Sequence, residues 1–179
     1  NSSLIALVSF CLISSSIYLV NDSLDINSDK KHPIKKLRPI ASGLISIPTA
    51  IITSFTLASI SLFLAFFIVS NSLGYIILSY YFLQILYCKY LKKEPILDIL
   101  CISNGFLLRA AAGLVACKLP NSPWFLLTIG MLALFLAIEK RKFELRRTYK
   151  SGILTRKVLR NYSIPLLLRF ESLVTTGCF

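Results

Sequence analysis

Asp22, Asp25 and Asp29 are spaced i, i+3 and i+7, and at 100° per residue a helix brings the third to within about 20° of the first. Three carboxylates on one stripe repel each other, and a divalent cation is the usual reason to keep them together. Magnesium takes a few carboxylates together with water and phosphate oxygens, so the stripe suits a diphosphate bridged through Mg²⁺. Asn21 stands directly before it, and the charge then changes sign through Lys30, Lys31, His32, Lys35, Lys36 and Arg38. Pro33 disfavours helix at His32 and is placed to turn the chain back, bringing the basic part over the acidic stripe. Carboxylates for a metal beside cations for phosphates are what a diphosphate site requires. The plainer alternative is a solvated interfacial loop whose aspartates balance its lysines. His32 by itself is more often a hydrogen-bonding structural residue than a ligand.

Two further stretches carry ionisable groups. In LDILCISNGFLLRAAAG, residues 97–113, Asp98 and Arg109 are eleven residues apart and share a helical face with Gly105. The rise of 1.5 Å per residue puts Arg109 roughly 16 Å deeper than Asp98, where an arginine should face a polar cavity, an anion or a neighbouring helix. In EKRKFELRRTYKSG, residues 139–152, Glu144 is i+4 from Lys140 and i+3 from Arg141, within ion-pair reach on a helix surface. Simple anchoring of these cations to lipid heads is the competing reading.

The elements that position these groups are apolar. With 55% hydrophobic residues, 16% charged residues and a mean hydropathy of +0.71, the chain is too apolar for an ordinary water-soluble domain. No charged residue occurs from Pro39 to Cys88, a run long enough for two spans at roughly 20 residues each, with the break read at residues 71–74. Apolar spans are expected at about residues 4–20, 44–69, 73–88, 98–117, 123–138 and from 162 onward. Lipid requires each backbone amide to find its partner within the segment, so the expected fold class is all-α, a polytopic transmembrane helical bundle in a single domain over residues 1–179. If the first span continues helically past Val20, all three carboxylates share one stripe.

Seventeen of the 20 basic residues lie in the loops at 21–43, 89–96 and 139–161. The positive-inside rule therefore puts those loops, and the ionic chemistry they hold, on the cytoplasmic side of a multi-pass membrane protein. Because the net charge of +12 is divided among short loops, anionic lipid heads or phosphorylated substrates are the expected partners and nucleic acid is not. Cys11, Cys88, Cys101, Cys117 and Cys178 show no paired spacing of the kind zinc or redox sites use. The opening run lacks a basic n-region and a small-residue cleavage site, so it reads as a span and not a signal peptide. A chain that begins at Asn1 almost inside one span and reaches Phe179 inside another is expected to be a fragment, missing sequence at both ends.

The pattern NDxxDxxxDxxHPxKxxRP, covering Asn21, Asp22, Asp25, Asp29, His32, Pro33, Lys35, Arg38 and Pro39, closely resembles the first aspartate-rich signature of the UbiA superfamily of intramembrane prenyltransferases. The resemblance implies a nine-helix fold, of which about six spans are present here, and a signature that binds Mg²⁺ and a substrate diphosphate. In the family's aromatic prenyltransferases the loop after the fifth span of this chain carries a second aspartate-rich motif; here it has no aspartate, which counts against the aromatic reaction. LDIxxxSxGFLLRAxAG, PxSxWFLL and KRxxEL are instead similar to the decaprenyl-phosphate phosphoribosyltransferase branch. At Glu139 and Lys142 this chain departs from that branch, whose members often carry a small residue and an aromatic.

That similarity implies transfer of 5-phosphoribose from phosphoribosyl diphosphate to a polyprenyl (decaprenyl) phosphate, with Mg²⁺ as cofactor. Asp22, Asp25 and Asp29, helped by Asn21, would hold the metal against the diphosphate. Lys35 and Arg38 would neutralise the diphosphate, and Lys140, Arg141 and Arg109 would hold the sugar or lipid phosphate, with His32, Asp98 and Glu144 in support. The rivals are transfer of a prenyl group from its diphosphate to an aromatic acceptor such as 4-hydroxybenzoate, and a non-enzymatic membrane transporter or scaffold. Transporters put ionisable residues near the midplane, whereas these aspartates lie at a mouth.

Overall fold

The computed structural model describes residues 2–32, 34–151 and 157–177; Pro33, Gly152 and Cys178, which the sequence reading uses, lie outside the described residues. Every regular element among them is helical: α1 (Ser2–Leu24), the single turn α2 (Ile26–Asp29), α3 (Ile47–Phe63), α4 (Asn71–Lys89), α5 (Leu97–Ala116), α6 (Pro123–Ser151) and α7 (Ile164–Thr176). Each apolar run forms a helix. Among the described residues four stretches, Ser2–Leu24, Ile47–Val69, Leu97–Ala116 and Pro123–Tyr149, are long and apolar enough to cross a membrane. Only 17–33% of the most apolar window in each is buried against protein, and side chains such as Phe55, Phe67 and Trp124 are largely exposed. Apolar surface on that scale needs lipid, not water, as its solvent.

Packing divides the chain into two compact units, residues 1–89 with 112–120, and residues 90–111 with 121–179. In the first unit α1 packs along α3. Small residues recur on both contact faces, Ala6, Ser9 and Ser16 on α1 and Ala50, Ser54, Ala58 and Ser61 on α3, so the backbones approach closely enough for hydroxyls to reach across. Ser61 donates to the Ser9 carbonyl at 2.7 Å and Ser54 to the Ser16 carbonyl at 3.0 Å, while Ser16 donates to the Ser54 hydroxyl at 2.9 Å. Lipid tails supply no hydrophobic drive for helix association, so close packing and such hydrogen bonds, each about 0.6 kcal/mol, hold the pair.

Two boundaries differ from the sequence expectation. Beyond Phe63, α3 widens into a π-helical segment, Leu64–Val69, and the chain turns at the extended Ser70, whose hydroxyl accepts from the Leu73 amide at 3.2 Å. Residues 71–74, read as the break, are instead the first turn of α4. Gly74 is required there because a Cβ would come within 2.4 Å of the Phe66 ring. The segment from Glu139, read as a loop, continues α6 as helix to Ser151. Charge density marked the membrane boundary, but charged residues do not break a helix, and no glycine or proline interrupts residues 131–151.

In the second unit Ile99, Ala137, Ile138, Leu145, Val158, Leu159, Tyr162 and Leu167 form one buried cluster joining α5, α6 and α7. Ser103 donates to the Gly130 carbonyl at 3.1 Å, and a Cβ at Gly130 would meet Leu107 at 3.0 Å, so α5 and α6 are in close contact there. Before α5, Ile96 adopts φ 68°, a conformation that is costly for a β-branched residue. Its amide is held by the Tyr162 hydroxyl at 2.8 Å.

Candidate functional site

Chemistry-bearing residues gather in two clusters, one in each unit. In the first, α1 continues past Val20 and ends at Leu24. Helical hydrogen bonding then carries on through the irregular Asp25: its amide donates to the Asn21 carbonyl at 2.9 Å, and the Asp29 amide donates to the Asp25 carbonyl at 2.8 Å. The three aspartates therefore keep nearly helical spacing across the junction of α1 and α2. The His32 amide then donates to the Asp29 carbonyl at 3.0 Å. Its imidazole Nδ1 accepts from the amides of Ile34 at 3.2 Å and Lys35 at 3.3 Å. His32 thus caps the turn.

A 3-10 turn, Lys35–Leu37, brings the chain back, and Arg38 follows in the extended conformation (φ −60°, ψ 143°) that Pro39 favours. Ile40 and Ala41, which follow, are buried. The returning segment delivers Arg38 to the stripe: its Nη1 donates to Asp22 Oδ1 at 2.7 Å and to Asp29 Oδ2 at 2.9 Å. Asp29 is 3% exposed and Asp22 22%, while the Asn21 side chain hydrogen-bonds Asp22. Asp25 and Lys35 are half-buried, and Lys30, Lys31 and Lys36 are exposed.

Sequence spacing suggested that all three aspartates would hold one metal. Among the described residues, no three His, Cys, Asp or Glu side chains converge on a metal-sized site. Two carboxylates joined through one cationic nitrogen nonetheless suit magnesium, which takes one or two carboxylates and completes its shell with water and phosphate oxygens. The donor set therefore fits a metal shared with a phosphorylated substrate and does not fit a dedicated protein cage.

The second cluster has the same residue types in a different state. Arg141 on α6 is fully buried, and so is Asp98 on α5. The guanidinium grips Asp98 through both carboxylate oxygens, Nη2 to Oδ1 at 2.7 Å and Nε to Oδ2, while Nη1 meets Glu144 at 2.5 Å. The adjacent Lys142, 8% exposed, contacts Glu139 and Glu171 of α7 at 2.5 Å. Each buried cation is therefore flanked by two carboxylates. The expectation that Arg141 would meet a phosphate does not match this placement, because two carboxylates already occupy its fork. Lys140, Arg146 and Arg147 remain exposed on α6.

Arg109, expected to face a cavity or an anion, is exposed, with its guanidinium carbon 5.5 Å from the centre of the Phe106 ring. Asp98 and Gly105 on the same periodic face are buried. Sequence reasoning missed the Glu139–Lys142–Glu171 set altogether. The signal was Glu171, the single carboxylate in the apolar run from residue 162 onward, which in such surroundings calls for a cationic partner.

The pattern of the UbiA prenyltransferase family matches residues 2–164. The chain belongs to the UbiA prenyltransferase family. Among its relatives, the decaprenyl-phosphate phosphoribosyltransferase of Mycolicibacterium smegmatis is 42% identical over 91% of this chain and 51% of its own length. The enzyme of that name from Corynebacterium glutamicum is 41% identical over 93% of this chain and 50% of its own length. The nodulation protein NoeC of Azorhizobium caulinodans is 31% identical over 83% of the chain and 48% of its own length. The chain thus spans about half the length of the curated relatives it matches. In fold it is similar to a UbiA homolog from Archaeoglobus fulgidus bound to DMAPP and Mg²⁺, with a TM-score of 0.86 at 17% identity over 99% of this chain and 63% of that one. The same homolog bound to GPP and Mg²⁺ gives a TM-score of 0.83 at 18% identity, over 98% of this chain and 64% of that one. As a UbiA family member with four helices able to span a bilayer, the chain is an integral membrane protein.

Proposed function

We propose that this UbiA chain carries part of a magnesium-dependent membrane transferase that moves 5-phosphoribose from phosphoribosyl diphosphate to a polyprenyl phosphate, with release of diphosphate. The observation that carries the reading is identity of 38–42% to enzymes named for decaprenyl phosphate and phosphoribose. The Asp22, Asp29 and Arg38 cluster gives that likeness a chemical counterpart in this chain. Absence of aspartate from residues 139–151 favours it over ring prenylation.

In this reading Asp22 and Asp29 hold the metal at the donor diphosphate, with Asp25 and Asn21 completing the site. The metal, when bound, stabilises negative charge on the departing diphosphate. Lys35 and Arg38 neutralise the same group. Lys140 and Arg109 are the cations for the sugar phosphate or the lipid phosphate, and Arg141, engaged with Asp98 and Glu144, acts by fixing α6. The acceptor phosphate is already an anion, so no general base is required. By the positive-inside rule the basic segments that hold Lys35, Arg38 and Lys140 would face the cytoplasm, with Arg109 deeper along α5.

Membranes containing the intact gene product, given labelled phosphoribosyl diphosphate and decaprenyl phosphate, should form a labelled, lipid-extractable product only when Mg²⁺ is present. Prenylated 4-hydroxybenzoate from a prenyl diphosphate, without the phosphoribosyl lipid, would overturn the reading in favour of the aromatic reaction. Inactivity with both substrate pairs would favour a transporter or scaffold.

A further inference from the structure

We propose that Arg38 is an internal stand-in for the metal. In the metal-free protein its guanidinium holds Asp22 and Asp29 together, and on loading it leaves the carboxylates for the incoming diphosphate. The inference rests on the reading of Asp22 and Asp29 as metal-holding residues and adds a switch to it.

Both contacts are made by the same nitrogen, Nη1, at 2.7 Å to Asp22 and 2.9 Å to Asp29. That nitrogen carries two hydrogens, one for each carboxylate, so a single cationic group bridges two anions seven residues apart. A divalent cation taken by the same two carboxylates would replace that charge. Without either cation, the 3% exposed Asp29 would be left buried beside other carboxylates, an arrangement that is expensive without a partner. A metal and a guanidinium cannot share the bridge, because their charges repel at contact distance.

The anchoring of Arg38 allows the exchange. Its amide donates to the Lys35 carbonyl at 3.0 Å, and its carbonyl accepts from the Ser42 amide at 2.8 Å, so the backbone is fixed. The side chain is 36% exposed, which leaves it room to swing about that pivot. A diphosphate then offers oxygens suited to the guanidinium fork. Metal alone must expel Arg38 without giving it a new partner, whereas metal with diphosphate supplies one. Metal and diphosphate therefore bind cooperatively, and each raises the affinity of the other by the same factor.

Reaction of Arg38 with phenylglyoxal, read by mass spectrometry on the detergent-solubilised intact gene product, tests the exchange. Mn²⁺ occupancy is followed in parallel by electron paramagnetic resonance. Arg38 should be protected without ligand, about tenfold more reactive at saturating Mn²⁺ alone, and protected again with Mn²⁺ and inorganic pyrophosphate, a swing within the usual range of site coupling. Arg38→Gln should tighten Mn²⁺ binding in the absence of pyrophosphate and shrink the gain that pyrophosphate brings. Lys35→Gln, which removes the same charge nearby, should tighten Mn²⁺ binding less. Protection of Arg38 in all three states while Mn²⁺ is bound would overturn the switch and leave the metal site standing. Absence of Mn²⁺ binding, or binding unaffected by Asp22→Asn and Asp29→Asn, would overturn the metal reading and the switch together.

Discussion

The two charged clusters use the same chemistry, arginine between carboxylates, to opposite ends. At the junction of α1 and α2, Arg38 is 36% exposed and Asp22 22%; in the second unit Arg141 and Asp98 are both at 0%. Arg38 uses one nitrogen for both of its carboxylates, whereas Arg141 uses its whole fork. The first cluster can exchange partners with solvent or a ligand. The second is closed and joins α5 to α6, while Lys142 joins α6 to α7. An arginine's contribution is thus set by what surrounds it: the open cluster is the candidate for binding and the closed one for architecture.

The largest effect should come from opening the closed cluster. Arg141→Ala takes the guanidinium away from the buried Asp98 carboxylate and should cost roughly 3–5 kcal/mol of stability, whereas the paired replacement Asp98→Leu with Arg141→Met should recover most of it. Denaturant unfolding in detergent reads both. If Arg141→Ala leaves stability unchanged and removes only substrate affinity, the assignment of this cluster to architecture is wrong.

Next comes the open cluster. Asp22→Asn and Asp25→Asn in the intact gene product should lower turnover by roughly 10²-fold or more, the scale of losing one preorganised charge-stabilising group. Membrane insertion and unfolding midpoint should stay near wild type. Equal turnover in either variant would remove that residue from the metal site.

Smaller effects test the edges of the closed cluster. Lys142→Met should destabilise by about 1.5–3 kcal/mol, the worth of a hydrogen bond to a charged group; the cost is below that of Arg141→Ala because Glu139 and Glu171 are 36% and 24% exposed and can rehydrate. Tyr162→Phe removes the acceptor for the Ile96 amide and should cost about 0.5–1.5 kcal/mol. Hydrogen exchange at Ile96 should quicken while that of the α1–α3 pair stays the same.

What could be read from the sequence divides along the same line. The acidic stripe was legible because it is local: Asp22, Asp25 and Asp29 belong to nearly continuous helix, where spacing alone fixes direction. The turn of His32 and the return of Arg38 toward the stripe also followed from neighbouring residues. The fate of Arg141 did not, because its partner Asp98 lies 43 residues away, and local spacing offered only Glu144. Taken by itself, a basic motif after an apolar span reads as exposed cation, and burial depends on which carboxylates the fold brings to it. Charge density likewise located the end of the apolar part of α6 but not the end of the helix.

The central claim, that the cluster at the end of α1 takes the metal and the diphosphate, is tested most directly by titrating the intact gene product with labelled phosphoribosyl diphosphate, with and without Mg²⁺, in wild type and Asp22→Asn. Binding that requires Mg²⁺ in wild type and is lost in Asp22→Asn is the predicted result; binding independent of Mg²⁺, or unchanged in Asp22→Asn, would contradict it.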